Sequence, residues 1–104
     1  MHHFTNKAGH DSISAHPEWK FRAAEPPGPH PHGAYFTTLA ADAPRLAARL
    51  RIPREKLAFV FTFEGDDGLE RIRGGRGRYI LYSRDDYRVG HHRQVSHGPT
   101  GIDS

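Results

Sequence analysis

The chain has 104 residues, with 15 Lys and Arg against 12 Asp and Glu, a formal charge of +3 with its nine histidines neutral, and no cysteine. That length holds one domain with a single modest core. The absence of cysteine excludes disulfides and thiol catalysis, and no run approaches the ~20 apolar residues of a membrane-spanning helix. The start lacks a charged-then-apolar leader pattern, so no secretory peptide is expected and the cytoplasm is the expected location. The basic balance favours anionic partners, whether nucleotides, nucleic acid or acidic protein surfaces, without choosing among them.

Eleven glycines and eight prolines imply short elements joined by many turns. Residues 1–5 read as a strand. Thr5 or Asn6 then caps a helix reaching about Ala15, with Ala8, Ser12 and Ile13 on its apolar face. His16-Pro17 ends it, because a residue before proline is pushed out of the helical region. Residues 17–32 read as irregular, with Trp19 and Phe21 buried and Glu25–His32 a proline-stiffened loop.

Ala34–Leu39 reads as the next strand. Asp42 is expected to cap a second helix with Pro44 in its first turn, Leu46, Ala47 and Leu50 inward and Arg45, Arg49 and Arg51 on a solvated face. Leu57–Phe63 is the strongest strand signal, apolar on both faces and therefore central. Gly65–Gly68 is a turn, Leu69–Ile72 a short strand, and Gly74–Gly77 a hairpin connection into Tyr79–Tyr82. A last strand covers Tyr87–Gly90 or runs on to Val95. The order is β-α-β-α followed by a β-meander, hence a small α+β domain over residues 1–95, with 96–104 expected as a flexible tail.

Two segments carry the chemistry. His3 lies in the run Met1-His2-His3-Phe4-Thr5, and Tyr35 in Gly33-Ala34-Tyr35-Phe36-Thr37. Together they suggest an imidazole and a phenol ring holding a nucleotide. The His-[Phe/Tyr]-Thr strand, the helix, the proline- and glycine-rich loop, the Gly-x-Tyr-x-Thr strand and the closing hairpin resemble the His-Tyr-Asp-signature branch of the ADP-ribosyltransferase superfamily, many of whose members are toxin domains. The resemblance covers residues 2–95.

It implies a small split antiparallel sheet wrapped around an NAD cleft with two short helices. It implies an enzyme that cleaves the nicotinamide–ribose bond of NAD, as a transferase or a glycohydrolase; a toxin or defence effector of this kind can have a neutralising partner protein. On that resemblance His3 contacts the adenosine-side ribose, Thr5 shapes the same edge, Gly33 permits close backbone approach and Tyr35 stacks on nicotinamide. An acidic residue near the last strands should fix the nicotinamide ribose and stabilise positive charge as nicotinamide leaves. Asp86 is the expected one, with Asp85 and Glu64 as alternatives and Tyr87 as the residue a strict alignment sets in that slot. No Glu-x-Glu or Gln-x-Glu stands there, so the arginine-modifying pattern is missing. The acceptor is left open among a macromolecule, a small molecule and water.

Other clusters have plainer readings. His2 is expected to be exposed. His30 and His32, with His91, His92 and Asp85 or Asp86, are imaginable metal ligands, but their separation predicts no convergence and no metal is expected. Arg71-Ile-Arg73-Gly-Gly-Arg76-Gly-Arg78 resembles an Arg-Gly-Gly nucleic-acid segment and reads more simply as a cationic hairpin. A basic nucleic-acid-binding module without catalysis is the alternative function.

Overall fold

The computed structural model describes residues 1–24 and 31–102. Its elements are strand β1 (His2–Thr5), helix α1 (Lys7–Ser14), β2 (Trp19–Phe21), β3 (Ala34–Thr37), helix α2 (Leu46–Leu50), β4 (Phe59–Phe63), β5 (Glu70–Arg71), β6 (Ile80–Ser83), β7 (Tyr87–Val89) and β8 (Gln94–Pro99). A six-stranded sheet runs β5-β6-β3-β1-β4-β8, and β2 and β7 form a two-stranded one. Every pairing is antiparallel. The α+β class with two short helices is as expected. No helix among the described residues is long and apolar enough to cross a membrane.

Alternation along the strands builds two apolar layers. Phe36, Phe61 and Phe63 face the small sheet and meet Trp19, Phe21, Tyr87 and Val89. On the opposite face Phe4 packs with Leu46 of α2 and Leu57, and Tyr82 with Ile72 and Ile80. Each fully buried aromatic or leucine contributes about 1.5–3 kcal/mol, so these layers rather than the short helices hold the domain together. As expected, β4 is internal, lying between β1 and β8.

The differences from the sequence reading have local causes. Asn6 does cap α1, its side chain accepting from the Gly9 N–H at 2.9 Å. Ile13 is buried, but Ala8 and Ser12 are exposed, so the helix rests on one side chain rather than a stripe. Residues 19–21 are a strand, not irregular chain, because Trp19, Lys20 and Phe21 pair with Val89, Arg88 and Tyr87.

Asp42 does not cap α2. Arg45 precedes the helix in a left-handed conformation (φ 54°), which puts the start after Pro44. Residues 54–57 wind into a 3-10 turn, so β4 starts at Phe59 and Leu57 packs with Phe4 instead of joining the Phe61 side. The expected meander stops after the β5–β6 hairpin: β6 pairs with β3, β7 leaves to pair with β2, and β8 returns to β4.

The expected tail is also different. Residues 94–99 form β8, with Phe61 opposite His97 and Phe59 opposite Pro99, so a boundary at residue 95 falls inside a strand. Gly98 and Pro99 do not prevent this, since an edge strand tolerates both. Residue 102 still packs with the Phe4 layer. Residues 103–104, like 25–30 of the expected proline loop, lie outside the described residues.

Candidate functional site

The six-stranded sheet is split at its middle. β1 pairs with β4 over four residues, from His2↔Thr62 to Thr5↔Phe59. Its ladder with β3 has, among the described residues, one bridged pair, His2↔Thr37. Beyond that pair β1 continues to Thr5 and β3 runs back towards Gly33, so those two residues flank the open end.

His3 stands where the ladder stops. Its Nδ1 lies 2.8 Å from the Tyr35 carbonyl oxygen, a side-chain bond in place of the missing backbone one. A carbonyl only accepts, so Nδ1 carries the proton. The ring packs edge-on against Phe21 at 4.8 Å and tilted against Phe36 at 5.5 Å. Burial pushes its pKa below the ordinary value; the Tyr35 carbonyl opposes this and the Lys56 charge adds to it. The result is a neutral imidazole with Nε2 as an acceptor.

This yields a pH prediction. Because His3 binds its proton less readily folded than unfolded, its contribution to stability is complete above about pH 6.5, its unperturbed value. It is lost as pH falls through that value towards the depressed folded one. His2 adds in the same direction, its pKa lowered by burial and by the Met1 ammonium against the opposing Asp42. Urea midpoints at pH 7.5 and 5.0 should fall with acid, and less steeply in His3→Gln. An unchanged slope in that variant would remove His3 as the cause.

His3 and Tyr35 do not present their side chains to the same side. With His2 opposite Thr37, His3 shares a face with Phe36, while Tyr35 shares the other with Thr37. Tyr35 stacks on its cross-strand neighbour Tyr82, ring centroids 5.5 Å apart, and its hydroxyl donates to the Pro31 carbonyl. What joins the pair is the Tyr35 backbone.

The close approach at Gly33 is that of the chain itself, not of a ligand: a Cβ there would sit 2.5 Å from the Ser83 carbonyl oxygen. Gly33 also exchanges two 3.0 Å hydrogen bonds with Ala24. The next residue, Ala23, donates its N–H to Asp86 Oδ1 at 2.8 Å, and Lys20 lies 3.6 Å from Oδ2. A chain of contacts therefore brings Asp86, far away in sequence, to the Gly33 end of the split. The Ala23 N–H first, then Lys20 and Arg22, hold its carboxyl below the usual range. Thr5 is buried at the opposite lip.

Of the alternatives, Glu64 lies at the other end of β1, where Met1 bonds Phe63 and Arg93 bonds Glu64. Asp85 is exposed, its carbonyl accepting from Ser83. Tyr87 is buried, donating to the Asp67 carbonyl and accepting from Arg93, so its hydroxyl is engaged in structure.

Outside this site the structure departs from expectation at His2 and Arg49. His2 is half-buried, its Nδ1 2.8 Å from Thr62 Oγ1. His32, His91 and His92 are exposed, His30 lies outside the described residues, and among the described residues no three His, Asp or Glu form a metal-ion cluster. Arg71 and Arg76 of the Arg-Gly-Gly segment bond backbone carbonyls, Arg71 those of Gly77 and Arg78, Arg76 those of Arg49 and Leu50. Arg49, expected on a solvated face, lies over the Tyr79 ring at 5.0 Å.

Sequence reasoning missed one pair altogether. His10 Nε2 lies 3.0 Å from His97 Nδ1, both rings stacked on Phe61. Asp11 sits 3.4 Å behind His10. No local pattern links residues 87 positions apart; the β4–β8 register sets His97 opposite Phe61, and α1 lays His10 on the same ring. Compared with known proteins, the chain matches no family model, no curated protein and no solved structure.

Proposed function

We propose that the chain binds NAD at the open end of the β1–β3 split and cleaves its nicotinamide–ribose bond, as an ADP-ribosyltransferase-like fold acting as transferase or glycohydrolase. One observation carries this reading: a neutral His3, its Nδ1–H committed to the Tyr35 carbonyl at the point where the strands part. Such a ring accepts from a ribose hydroxyl through Nε2, rather than donating to it. The hydrogen-bonded route from Gly33 to Asp86 supports the acid at the same end.

In this reading Asp86 orients the nicotinamide ribose, and its negative charge, kept ionised by Ala23 and Lys20, lies towards the positive charge that develops as nicotinamide departs. Tyr35 faces the other side of the sheet, so its ring reaches nicotinamide only if the dinucleotide bends across the strand opening. Water, a small molecule or a macromolecule takes the ribosyl carbon. The setting is the cytoplasm of the producing or a target cell, as for a toxin or defence effector with a neutralising partner. The nucleic-acid alternative is weakened by Arg71 and Arg76, whose guanidiniums are engaged with backbone carbonyls.

The test is nicotinamide release from NAD by the purified protein. Asp86→Asn is expected to lower turnover about 100-fold, the scale of one electrostatic group at a charged transition state. His3→Ala should weaken NAD binding about tenfold, as for one buried polar contact. Equal release by wild type and both variants, or neither binding nor release by wild type, would reject the assignment. Binding without release would retain the site and remove the cleavage.

A further inference from the structure

A concavity lies away from the split, where the end of β3, helix α2 and the 3-10 turn Gly75–Arg78 meet. It is a cleft of about 500 Å³ lined by Thr38, Leu39, Arg49, Gly75, Arg78 and Tyr79. Its size is in the range of small-molecule sites. Two of the six lining residues are arginines and none is acidic.

The walls are held by the protein's own bonds. Arg76 donates to the carbonyls of Arg49 and Leu50 at 3.2 and 2.9 Å, fixing the 3-10 turn against the end of α2. Arg71 donates to the carbonyls of Gly77 and Arg78 at 2.7 and 3.0 Å, holding the same turn from the other side. Tyr79 donates its hydroxyl to the Arg49 carbonyl at 3.3 Å, and its ring carries the Arg49 guanidinium. Arg71 and Arg76 thus serve as structure, whereas Arg49 and Arg78 take part in no ion pair among the described residues.

We propose that this cleft is a ligand site that takes the phosphate groups of a nucleoside di- or triphosphate. Guanidinium is the side chain whose paired N–H groups match phosphate oxygens, and two of them without carboxylate partners favour a polyanion. Stacking on Tyr79 orders Arg49 in advance, which lowers the cost of binding. The Thr38 hydroxyl adds a neutral donor, and Leu39 and Tyr79 give an apolar wall for a base. Extended single-stranded nucleic acid needs a groove with successive aromatic platforms; this cleft offers one aromatic ring. The inference is independent of the NAD reading, since it rests on different residues.

The experiment is calorimetric titration with ATP and with inorganic tripolyphosphate at low ionic strength, using wild type, Arg78→Gln, Arg49→Gln and Arg88→Gln. Arg88 lies on β7 of the small sheet and makes the same charge change elsewhere. Saturable one-to-one binding of ATP and weaker binding of tripolyphosphate are expected. Arg78→Gln and Arg49→Gln should each weaken ATP about tenfold, the scale of a lost charge-assisted contact. Arg88→Gln should leave it unchanged. Arg78→Gln is the decisive variant, because its guanidinium makes no bond within the described fold and its loss leaves folding intact; the melting temperature checks this. Equal weakening by all three variants, or no saturable binding, would overturn the proposal. So would tighter binding of short single-stranded RNA that Arg73→Gln and Arg78→Gln weaken alike.

Discussion

Phe61→Ala should destabilise the domain by about 3–5 kcal/mol, the scale for emptying a buried phenylalanine site. The side chain is 0% exposed. It is the hub of an aromatic cluster, with Trp19 at 4.9 Å, His10 at 5.2 Å, His97 at 5.5 Å and Phe21 at 5.6 Å between ring centroids. Those rings come from α1, β2 and β8, so no single element can move in to fill the space. Against the ~5–15 kcal/mol of a typical domain, such a loss leaves a marginal fold. Urea unfolding followed by Trp19 fluorescence measures it. A cost below about 1 kcal/mol would mean that the layer between the sheets closes without this ring.

Gly33→Ala should cost about 1–3 kcal/mol, for the opposite reason of crowding. The new methyl would lie 2.5 Å from the Ser83 carbonyl oxygen and 3.2 Å from the Tyr82 ring. The first neighbour is backbone in a paired strand and cannot swing aside. Relief requires the ends of β3 and β6 to part, which also strains the two bonds between Gly33 and Ala24. Gly75→Ala is the matched control, since a Cβ there meets nothing within 4 Å. Thermal melting of both variants checks the contrast, and equal midpoints would mean the close approach relaxes freely. By the same contacts, Gly33→Ala should disturb Asp86 while leaving the arginine cleft intact.

How much of this was legible in the sequence depends on the range of the signal. The Asn6 cap, the α1 span and the internal position of β4 rest on neighbours within a few residues, and they were readable. The strand at 19–21 was not, because three residues are too few to show a period and its warrant is the partner at 87–89. The strand at 94–99 was obscured by Gly98 and Pro99, which suit an edge but read as loop.

The candidate site shows the same division. His3, Thr5, Gly33 and Asp86 are candidates that the resemblance implies. That Asp86 is tied through Ala23 and Ala24 to Gly33, and that Tyr35 faces away from His3, depends on strand register. A one-residue change in phase exchanges the two faces, and residue types near the strands do not fix that phase.

The central place of β1 has a kinetic consequence. Both its partners, β3 and β4, come later in the chain, and β4 in turn awaits β8. No hairpin joins β1 to either neighbour, so the middle of the sheet can form only by closing long loops. Chains organised in this way pay loop entropy before any strand pairing rewards it, and fold on the slower side for their size. During that interval Phe59, Phe61 and Phe63 form an uncovered apolar edge, the segment through which newly made molecules would find one another before they find β1 and β8.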